Sequence, residues 1–194
     1  MNESELQRCR WVPAGDDLYR AYHDEEWGKP LTDDLRLFEL LVLETFQAGL
    51  SWRLILGRRE SFRSAFAGFN PEAIAAWTDE DIGRLMQDAG IIRNRQKLEA
   101  TRGNARAYLS IVAAHGSFSD WLWSLVPGAP LIGHWEKQED IPARTPLSDA
   151  VSKTLKKNGF KFVGSVTVYA FMQAAGLVQD HLTGCYRYGE LVAP

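Results

Sequence analysis

The chain has 194 residues, 45% of them hydrophobic and 24% charged, with a formal net charge of −3 at pH 7. This composition is that of an ordinary globular protein that can bury a sizeable core as one domain or two closely packed lobes. The acidic total argues against a nucleic-acid-binding protein unless positive charge is concentrated locally. The first eleven residues lack the apolar stretch of a signal peptide, and the longest apolar segment, residues 166–178, is interrupted by Thr167, Gln173 and Gly176. We therefore expect a cytoplasmic protein without membrane contact.

The periodicity of the apolar residues predicts helices along most of the chain. Asp33 or Asp34 can cap a helix whose apolar residues cover so wide an arc that the helix should be largely buried, namely Leu37, Phe38, Leu40, Leu41, Val42 and Leu43. Further helices are predicted over residues 59–66, 71–77, 79–89, 95–114, 117–125, 148–157 and 164–177. No alternating apolar and polar run between turn signals indicates a sheet, and the proline-containing residues 127–146 are typical of a long connection. The sequence thus predicts an all-α protein with one domain over residues 1–194.

Each of the two cysteines lies near a histidine, and the two pairs are at opposite ends of the chain. Cys9 precedes His23, and Cys185 follows His181 with Gly184 between them. This arrangement suggests a tetrahedral Cys2His2 zinc site that joins the N-terminal arm to the C-terminal tail. Four protein ligands leave no open position for water, so the zinc would be structural. The alternatives are two unrelated buried cysteines or a disulfide, although a reducing compartment disfavours the disulfide.

Positive charge is concentrated in two segments of this acidic chain. Residues 93–106 contain five basic residues against the single acid Glu99, and residues 153–161 contain four lysines and no acid. The two segments could form one phosphate-binding face, or they could be solvated helix faces of no particular function.

Residues 79–108 have the layout of a helix-hairpin-helix element. A short amphipathic helix is followed by a turn that contains Gly90, and a second helix then begins with basic residues. In such an element, backbone N–H groups at a helix N-terminus meet a DNA phosphate. Any two helices joined by a glycine turn share this layout, but the basic second helix favours DNA binding.

Glu44 is the most chemically suggestive residue, because it follows four apolar residues on a helix predicted to be buried. Its carboxylate must either find hydrogen-bond donors or line a cavity. Five aromatic residues also lie within the first 52 positions: Trp11, Tyr19, Tyr22, Trp27 and Trp52. Aromatic residues are often simply core, but aromatic faces beside a carboxylate form a slot for a flat cationic or electron-poor heterocycle. A methylated purine has these properties.

Seven sequence blocks, in order and over nearly the whole chain, carry a family resemblance. They are CRW at 9–11, YHDEEWG at 22–28, ETFQAGLSW at 44–52, QDAGIIR at 87–93, GNARAY at 103–108, KKNGFKFVG at 156–164 and DHLTGC at 180–185. Together they resemble the DNA-3-methyladenine glycosylase I family of the helix-hairpin-helix DNA glycosylase superfamily. The resemblance implies two helical lobes with a base pocket between them, and excision of N3-methyladenine from alkylated double-stranded DNA. It also implies a structural Zn²⁺ held by Cys9, His23, His181 and Cys185.

The resemblance also implies roles for individual residues. Glu44 and Tyr22 would hydrogen-bond the flipped base, Trp52 would stack on it and Trp11 would pack near its edge, with Tyr19 and Trp27 as further binding residues. Gly49 and Leu50 would fill the gap left in the duplex. Phosphates would be bound by the hairpin residues Gly90, Ile91, Ile92, Arg93, Asn94 and Arg95.

The chain departs from the family pattern at Thr45 and Phe46, where smaller or more polar residues are often found, and this bears on substrate range. Many glycosylases of the superfamily use an aspartate downstream of the hairpin, but no aspartate occurs between Arg93 and Asp120, and the resembled family also lacks it. Methylation at N3 already makes adenine a good leaving group, so little acid catalysis is needed. We therefore expect a monomeric, monofunctional enzyme without lyase activity. A non-catalytic DNA-binding module and a zinc hydrolase are the rival classes.

Overall fold

The computed structural model describes residues 6–192, so residues 1–5 and 193–194 of the predicted domain, and the start of the N-terminal segment considered for a signal peptide, lie outside it. Eleven α-helices occur in the described part: α1 (Asp17–Glu25), α2 (Asp34–Gln47), α3 (Trp52–Gly57), α4 (Arg59–Ala65), α5 (Pro71–Ala75), α6 (Asp79–Leu85), α7 (Arg95–His115), α8 (Phe118–Ser124), α9 (Pro146–Lys157), α10 (Ser165–Ala174) and α11 (Tyr186–Val192). The predicted helical fold is therefore confirmed in its main feature. Within residues 6–192, no helix is both long and apolar enough to cross a membrane.

Every predicted helix occurs, with its ends shifted by no more than a few residues. The largest shift is in α6, which ends at Leu85 rather than at residue 89 because residues 86–87 and 89–90 form turns. The prediction missed α1, α3 and α11, and it also missed two strands, β1 (Leu131–Ile132) and β2 (Val178–Gln179). These strands pair in parallel over two residues each. Two residues are too few to show an alternating pattern in the sequence.

Helix α2 lies in the middle of the core, as its wide apolar arc predicts, and eight of its 14 residues are buried. Asp33 caps the helix by accepting a hydrogen bond from the backbone N–H of Arg36 at 2.8 Å. Asp34 accepts hydrogen bonds from the Ser117 hydroxyl at 3.0 Å and the backbone N–H of Phe118 at 2.9 Å. These bonds join the start of α2 to the start of α8 and fix the direction in which α2 carries Glu44.

One continuous hydrophobic core extends from α1 to β2, and α2 packs within it against α7, α8 and α10. A second, small cluster of Cys9, Leu182 and Cys185 lies where the two ends of the chain meet. The ends are therefore held together by few apolar contacts of their own.

Gly176 allows the end of α10 to lie directly against the segment between α1 and α2. Its φ is +72°, and a Cβ at this position would collide with the backbone of Lys29 and Pro30. We expect Gly176→Ala to lower the free energy of unfolding by about 2–4 kcal/mol, measured by chemical denaturation. Gly83→Ala in α6 is the control, because its Cβ would meet nothing within 4 Å, and it should stabilise the protein by about 0.5–1 kcal/mol. Equal effects of the two changes would contradict this account of Gly176.

Candidate functional site

A cavity of about 170 Å³ opens between α1, α2 and α10. Its lining residues are Trp11, Tyr19, Tyr22, Trp27, Glu44, Gln47, Trp52, Gln138, Ile141, Ala170 and Gln173. Glu44 and all five aromatic residues singled out from the sequence thus line one cavity.

A larger cavity of about 220 Å³ shares Tyr22 and Trp52 with the aromatic cavity, and half of its 14 lining residues are charged. Its arginines are already paired, since Arg59 bonds Glu26 at 2.6 Å and Arg63 bonds Glu39 at 2.8 Å. Because Arg59 and Arg63 already have partners within the protein, the aromatic cavity is the better candidate for a ligand site.

The aromatic rings of the cavity hold one another in place through edge-on and tilted contacts. Trp11 lies edge-on to Tyr19 and to Trp27, with ring centroids 5.2 Å apart in each case. Tyr22 packs on Trp52 at 5.4 Å. Such contacts fix the orientation of large rings. The cavity is consequently a preformed aromatic slot.

The Glu44 side chain enters this slot from α2 and is only 3% exposed. Its Oε2 atom has no hydrogen-bond partner among the described residues, and burial raises the pKa of the carboxyl to about 8. The nearby Trp52 Nε1 and Gln138 Oε1 atoms are likewise buried without a partner. Since unpartnered buried polar groups are unfavourable, these three atoms mark where a bound molecule would supply donors and acceptors.

Tyr22 lies beside Glu44 in the slot and is itself buried. Burial and the neighbouring Glu44 carboxylate hold the pKa of the Tyr22 hydroxyl well above its usual value. The hydroxyl therefore stays protonated at neutral pH and can donate a hydrogen bond.

Five lining residues were missed from the sequence, namely Gln47, Gln138, Ile141, Ala170 and Gln173. Gln47 lies three residues after Glu44 on the same helix, and this spacing could have identified it. Gln138 and Ile141 belong to the long connection before α9, where no periodicity marks them. The connection thus supplies part of the cavity wall.

Asp180 was also missed, and it positions Gln173 of the cavity wall. Its buried carboxylate accepts hydrogen bonds from Trp135 Nε1 at 2.7 Å, the Tyr169 hydroxyl at 2.6 Å and Gln173 Nε2 at 2.8 Å. Because the Gln173 amide nitrogen is held by Asp180, its carbonyl oxygen remains available to the cavity.

Gly49 and Leu50, which are predicted to fill the gap left in the duplex, form the loop after α2, here called the wedge loop. Gly49 has a φ of +84°, and Leu50 is 39% exposed. Lys97 of α7 holds the backbone just before this loop, because its Nζ donates to the carbonyls of Phe46 at 2.9 Å and Ala48 at 2.8 Å. Lys97 is only 6% exposed, and burial lowers its pKa. Its side chain is therefore committed to the carbonyls at the end of α2.

The predicted hairpin connects α6 to α7 and packs against the segment after the wedge loop. A Cβ on Gly90 would lie 3.1 Å from the Cβ of Ser61, and Arg58 Nη1 donates to the Ala89 carbonyl at 2.7 Å. Asn94 caps α7 by accepting from the Lys97 N–H at 3.1 Å.

The remaining hairpin residues differ in exposure. Ile91 is buried, Ile92 is partly buried, and Arg93 and Arg95 are exposed. The hairpin therefore presents arginine side chains and backbone, while Ile91 belongs to the core.

The two cysteines and two histidines converge at the meeting point of the chain ends. Cys9, His23, His181 and Cys185 are all buried, and their candidate ligand atoms lie within 4.8 Å of one another. The cysteines are free thiols, so the alternative of a disulfide is wrong.

This cluster lies directly behind the aromatic cavity. The His23 ring is 5.1 Å from Trp11, and the His181 ring is 4.6 Å from Trp27. His181 Nε2 is 3.1 Å from the Trp27 carbonyl. His23 Nδ1 is 2.7 Å from Asp24 Oδ1, and Asp24 also bonds Arg8. A change in the cluster would therefore alter the positions of Trp11 and Trp27 in the cavity wall.

Comparisons with known proteins point to one family. Residues 11–188 match the family model described as methyladenine glycosylase. The chain is 51% identical to DNA-3-methyladenine glycosylase 1 of Escherichia coli (strain K12), over 94% of this chain and 97% of that protein. A crystal structure of 3-methyladenine DNA glycosylase I has a TM-score of 0.90 at 53% identity, covering 93% of this chain and 98% of the other.

A second solved structure, a Tyr-to-Phe variant of 3-methyladenine DNA glycosylase I in complex with 3-methyladenine, has a TM-score of 0.88 at 44% identity. The match covers 92% of this chain and 96% of the other. Both the family match and the relatives extend over most of the sequence. The chain therefore belongs to the methyladenine glycosylase family, a family of DNA glycosylase enzymes.

Proposed function

We propose that the protein flips N3-methyladenine out of alkylated duplex DNA into the aromatic cavity and hydrolyses its glycosidic bond, leaving an abasic site. The observation that carries this proposal is the unpartnered Glu44 carboxyl inside a slot of five aromatic side chains. The similarity to a structure with bound 3-methyladenine supports the choice of base.

The chemistry of the slot suits a methylated adenine. The base is cationic while attached to the sugar, and aromatic faces attract cations. A cation beside Glu44 favours its carboxylate form and so opposes the effect of burial on its pKa. Binding energy from these contacts favours departure of a base that is already a good leaving group, and water then attacks C1′ of the sugar.

We also propose that the enzyme is monofunctional. No lysine lines the cavity in the described part of the chain. Lys97, at the end of the hairpin, donates to two backbone carbonyls instead of pointing into the cavity. Without an amine near C1′, no Schiff base can form with the sugar. Strand cleavage by the enzyme at neutral pH would contradict this.

For DNA binding we propose that residues 79–108 act as a helix-hairpin-helix element. The exposed Arg93 and Arg95 and the backbone of residues 90–95 would contact phosphates of the duplex. Leu50 would enter the space that the flipped base leaves.

We propose that the Cys–His cluster holds a structural Zn²⁺. Two thiols and two imidazoles are a preferred donor set for this ion, and all four residues are buried and close together. The hydrogen bond between the two thiols lowers the pKa of Cys185 and raises that of Cys9, which favours the thiolate form at Cys185. Bound Zn²⁺ would tie residues 9–23 to residues 181–185 and leave no position for catalytic water.

The decisive experiment is release of free bases from methylated duplex DNA, resolved by chromatography. Release of 3-methyladenine is the expected result. DNA binding without base release would favour the binding-module alternative. Activity that is lost on chelation and regained with zinc, in a protein that stays folded throughout, would favour the zinc hydrolase.

Lys97→Met is expected to slow base release from duplex DNA about 10-fold, because the wedge loop loses its two hydrogen bonds from α7. Affinity for free 3-methyladenine, measured by tryptophan fluorescence, should be unchanged because Lys97 does not line the cavity. Lys97→Arg keeps the charge and should restore part of the rate. A parallel loss of free-base binding would show that Lys97 supports the cavity as a whole.

A further inference from the structure

Phe162 is an aromatic residue at the surface, in a backbone conformation that L residues rarely adopt. Its φ is +57° and its side chain is 37% exposed. It lies in the connection between α9 and α10 and does not line the cavity. Glycine would adopt this conformation without strain. The fold alone therefore does not explain an aromatic ring at this position.

The connection that carries Phe162 is firmly held on both sides. The buried Asn104 side chain of α7 makes two hydrogen bonds to the backbone of Lys161, at 2.8 and 3.1 Å. The Ser152 hydroxyl donates to the Val163 carbonyl at 2.6 Å. Because the backbone of both neighbours is held by hydrogen bonds, the position of Phe162 at the surface is fixed.

The α10 helix connects Phe162 to the aromatic cavity. Ala170 and Gln173 of α10 line the cavity, and Val166 precedes them by four and seven residues, which places it on the same face of the helix. Val166 is 57% exposed. The face of α10 that lines the cavity therefore continues to Val166, near the connection that holds Phe162.

Helix α7 places this surface relative to the wedge loop. Lys97 and Asn104 are seven residues apart, so they share one face of α7 at a spacing of about 10 Å along its axis. Lys97 holds the loop of Leu50, and Asn104 holds the connection of Phe162. The same face of α7 thus holds the segments that carry Leu50 and Phe162. Leu50 follows the end of α2 and Phe162 precedes the start of α10, and both helices line the cavity.

The charge around Phe162 complements a polyanion. No acidic residue occurs between Asp149 and Asp180, a segment that contains Lys153, Lys156, Lys157 and Lys161. All four lysines are exposed, and in residues 6–192 none of them forms an ion pair. Unpaired lysines beside an exposed aromatic ring are typical of a surface that binds nucleic-acid backbone and stacks on or packs against its sugars and bases.

We propose that Lys157, Lys161, Phe162 and Val166 form a second DNA-binding surface, the Phe162 rim, across the cavity mouth from Leu50. The lysines bind phosphates that flank the flipped nucleotide, and Phe162 packs against the adjacent sugar or base. The duplex is then held on both sides of the cavity, by the wedge loop and hairpin on one side and by the Phe162 rim on the other. This inference rests on the proposed function.

The Phe162→Gly variant separates DNA binding from folding. Glycine relieves the backbone strain, so the melting temperature should be unchanged or higher, whereas affinity for a duplex with an abasic-site analogue should fall about 10-fold. Phe162→Tyr keeps the aromatic ring and should bind as the wild type does. Fluorescence anisotropy with a labelled duplex measures these affinities.

The lysines are tested by the salt dependence of the same binding reaction. The double variant Lys157→Gln/Lys161→Gln should lower the slope of log K against log salt by about 2, since each phosphate contact contributes about 0.9. Arg144→Gln, a change of an exposed cation beyond the other end of α9, is the matched control and should leave the slope unchanged.

Base release by the wild-type protein is measured in parallel and tests the proposed function independently. If the wild type releases 3-methyladenine but Phe162→Gly and the double lysine variant bind DNA as tightly as the wild type, the Phe162 rim is refuted and the function stands. If Phe162→Gly fails to fold, an unchanged salt slope in the double lysine variant refutes the proposal, and a lowered slope supports it.

Discussion

Replacing Glu44 by glutamine is expected to reduce release of 3-methyladenine at least about 100-fold while the protein stays folded. Glutamine keeps the size of the side chain but cannot provide the negative charge that attracts a cationic base. Single-turnover release from methylated duplex DNA measures the effect.

The control for this change is Glu60→Gln, which alters an exposed glutamate of α4 outside the aromatic cavity. The control should retain wild-type activity. Unchanged base release by folded Glu44→Gln would remove Glu44 from the mechanism and leave the aromatic rings as the source of recognition.

The same variant should change how stability depends on pH. Burial raises the pKa of Glu44 from 4.5 to about 8, so between these values the folded protein holds a proton that the unfolded chain has lost. The free energy of unfolding therefore falls as pH rises from about 4.5 to about 8. Glutamine does not titrate, so the free energy of unfolding of Glu44→Gln should not decrease in this way. The variant should be more stable than the wild type by up to about 4 kcal/mol at pH 8, with little difference below pH 4.5. Urea denaturation at several pH values measures the difference.

The second large effect is expected at the Cys–His cluster. The purified protein should contain one Zn²⁺ per chain by mass spectrometry. Removal of the ion, or the change Cys185→Ala, should destabilise the protein by about 3 kcal/mol or more, which corresponds to about 10 °C in melting temperature for a chain of this size. The physical reason is that the small apolar cluster around Cys9 and Leu182 cannot hold the chain ends alone.

Loss of the ion should also lower the rate of base release, because the His23 and His181 rings contact Trp11 and Trp27 of the cavity. His115→Ala changes an exposed histidine outside the cluster and should have no effect on zinc content or melting. A protein that contains no zinc and melts at the same temperature after chelation would show that the four residues are only a buried polar cluster.

These two sites were recognisable in the sequence because each violates a local expectation. Glu44 places a carboxyl on a helix with almost no polar face, and such a residue needs either a partner or a cavity. Cysteines beside histidines at both ends of the chain are hard to account for as ordinary core residues. The helices that were predicted correctly have clear caps or periodicity, as with Asp33 at the start of α2 and Asn94 at the start of α7.

The missed elements carry little periodic signal, either because they are short or, in α1, because only Tyr22 and His23 of its nine residues are buried. Helix α3 has six residues and α11 has seven, and each strand has two. Their formation depends on what they pack against rather than on local pattern.

By itself, the sequence determined the helical character of the chain, the burial of Glu44 and the residues of the Cys–His cluster, since these follow from composition, spacing and local propensity. Only the tertiary structure decided which side chains complete the site. Lys97 reaches carbonyls 51 and 49 positions away, Asn104 holds a backbone 57 positions away, and Trp135 meets Asp180 across 45 positions. Contacts of this kind leave no periodic mark along the chain, because they depend on how the helices pack in three dimensions.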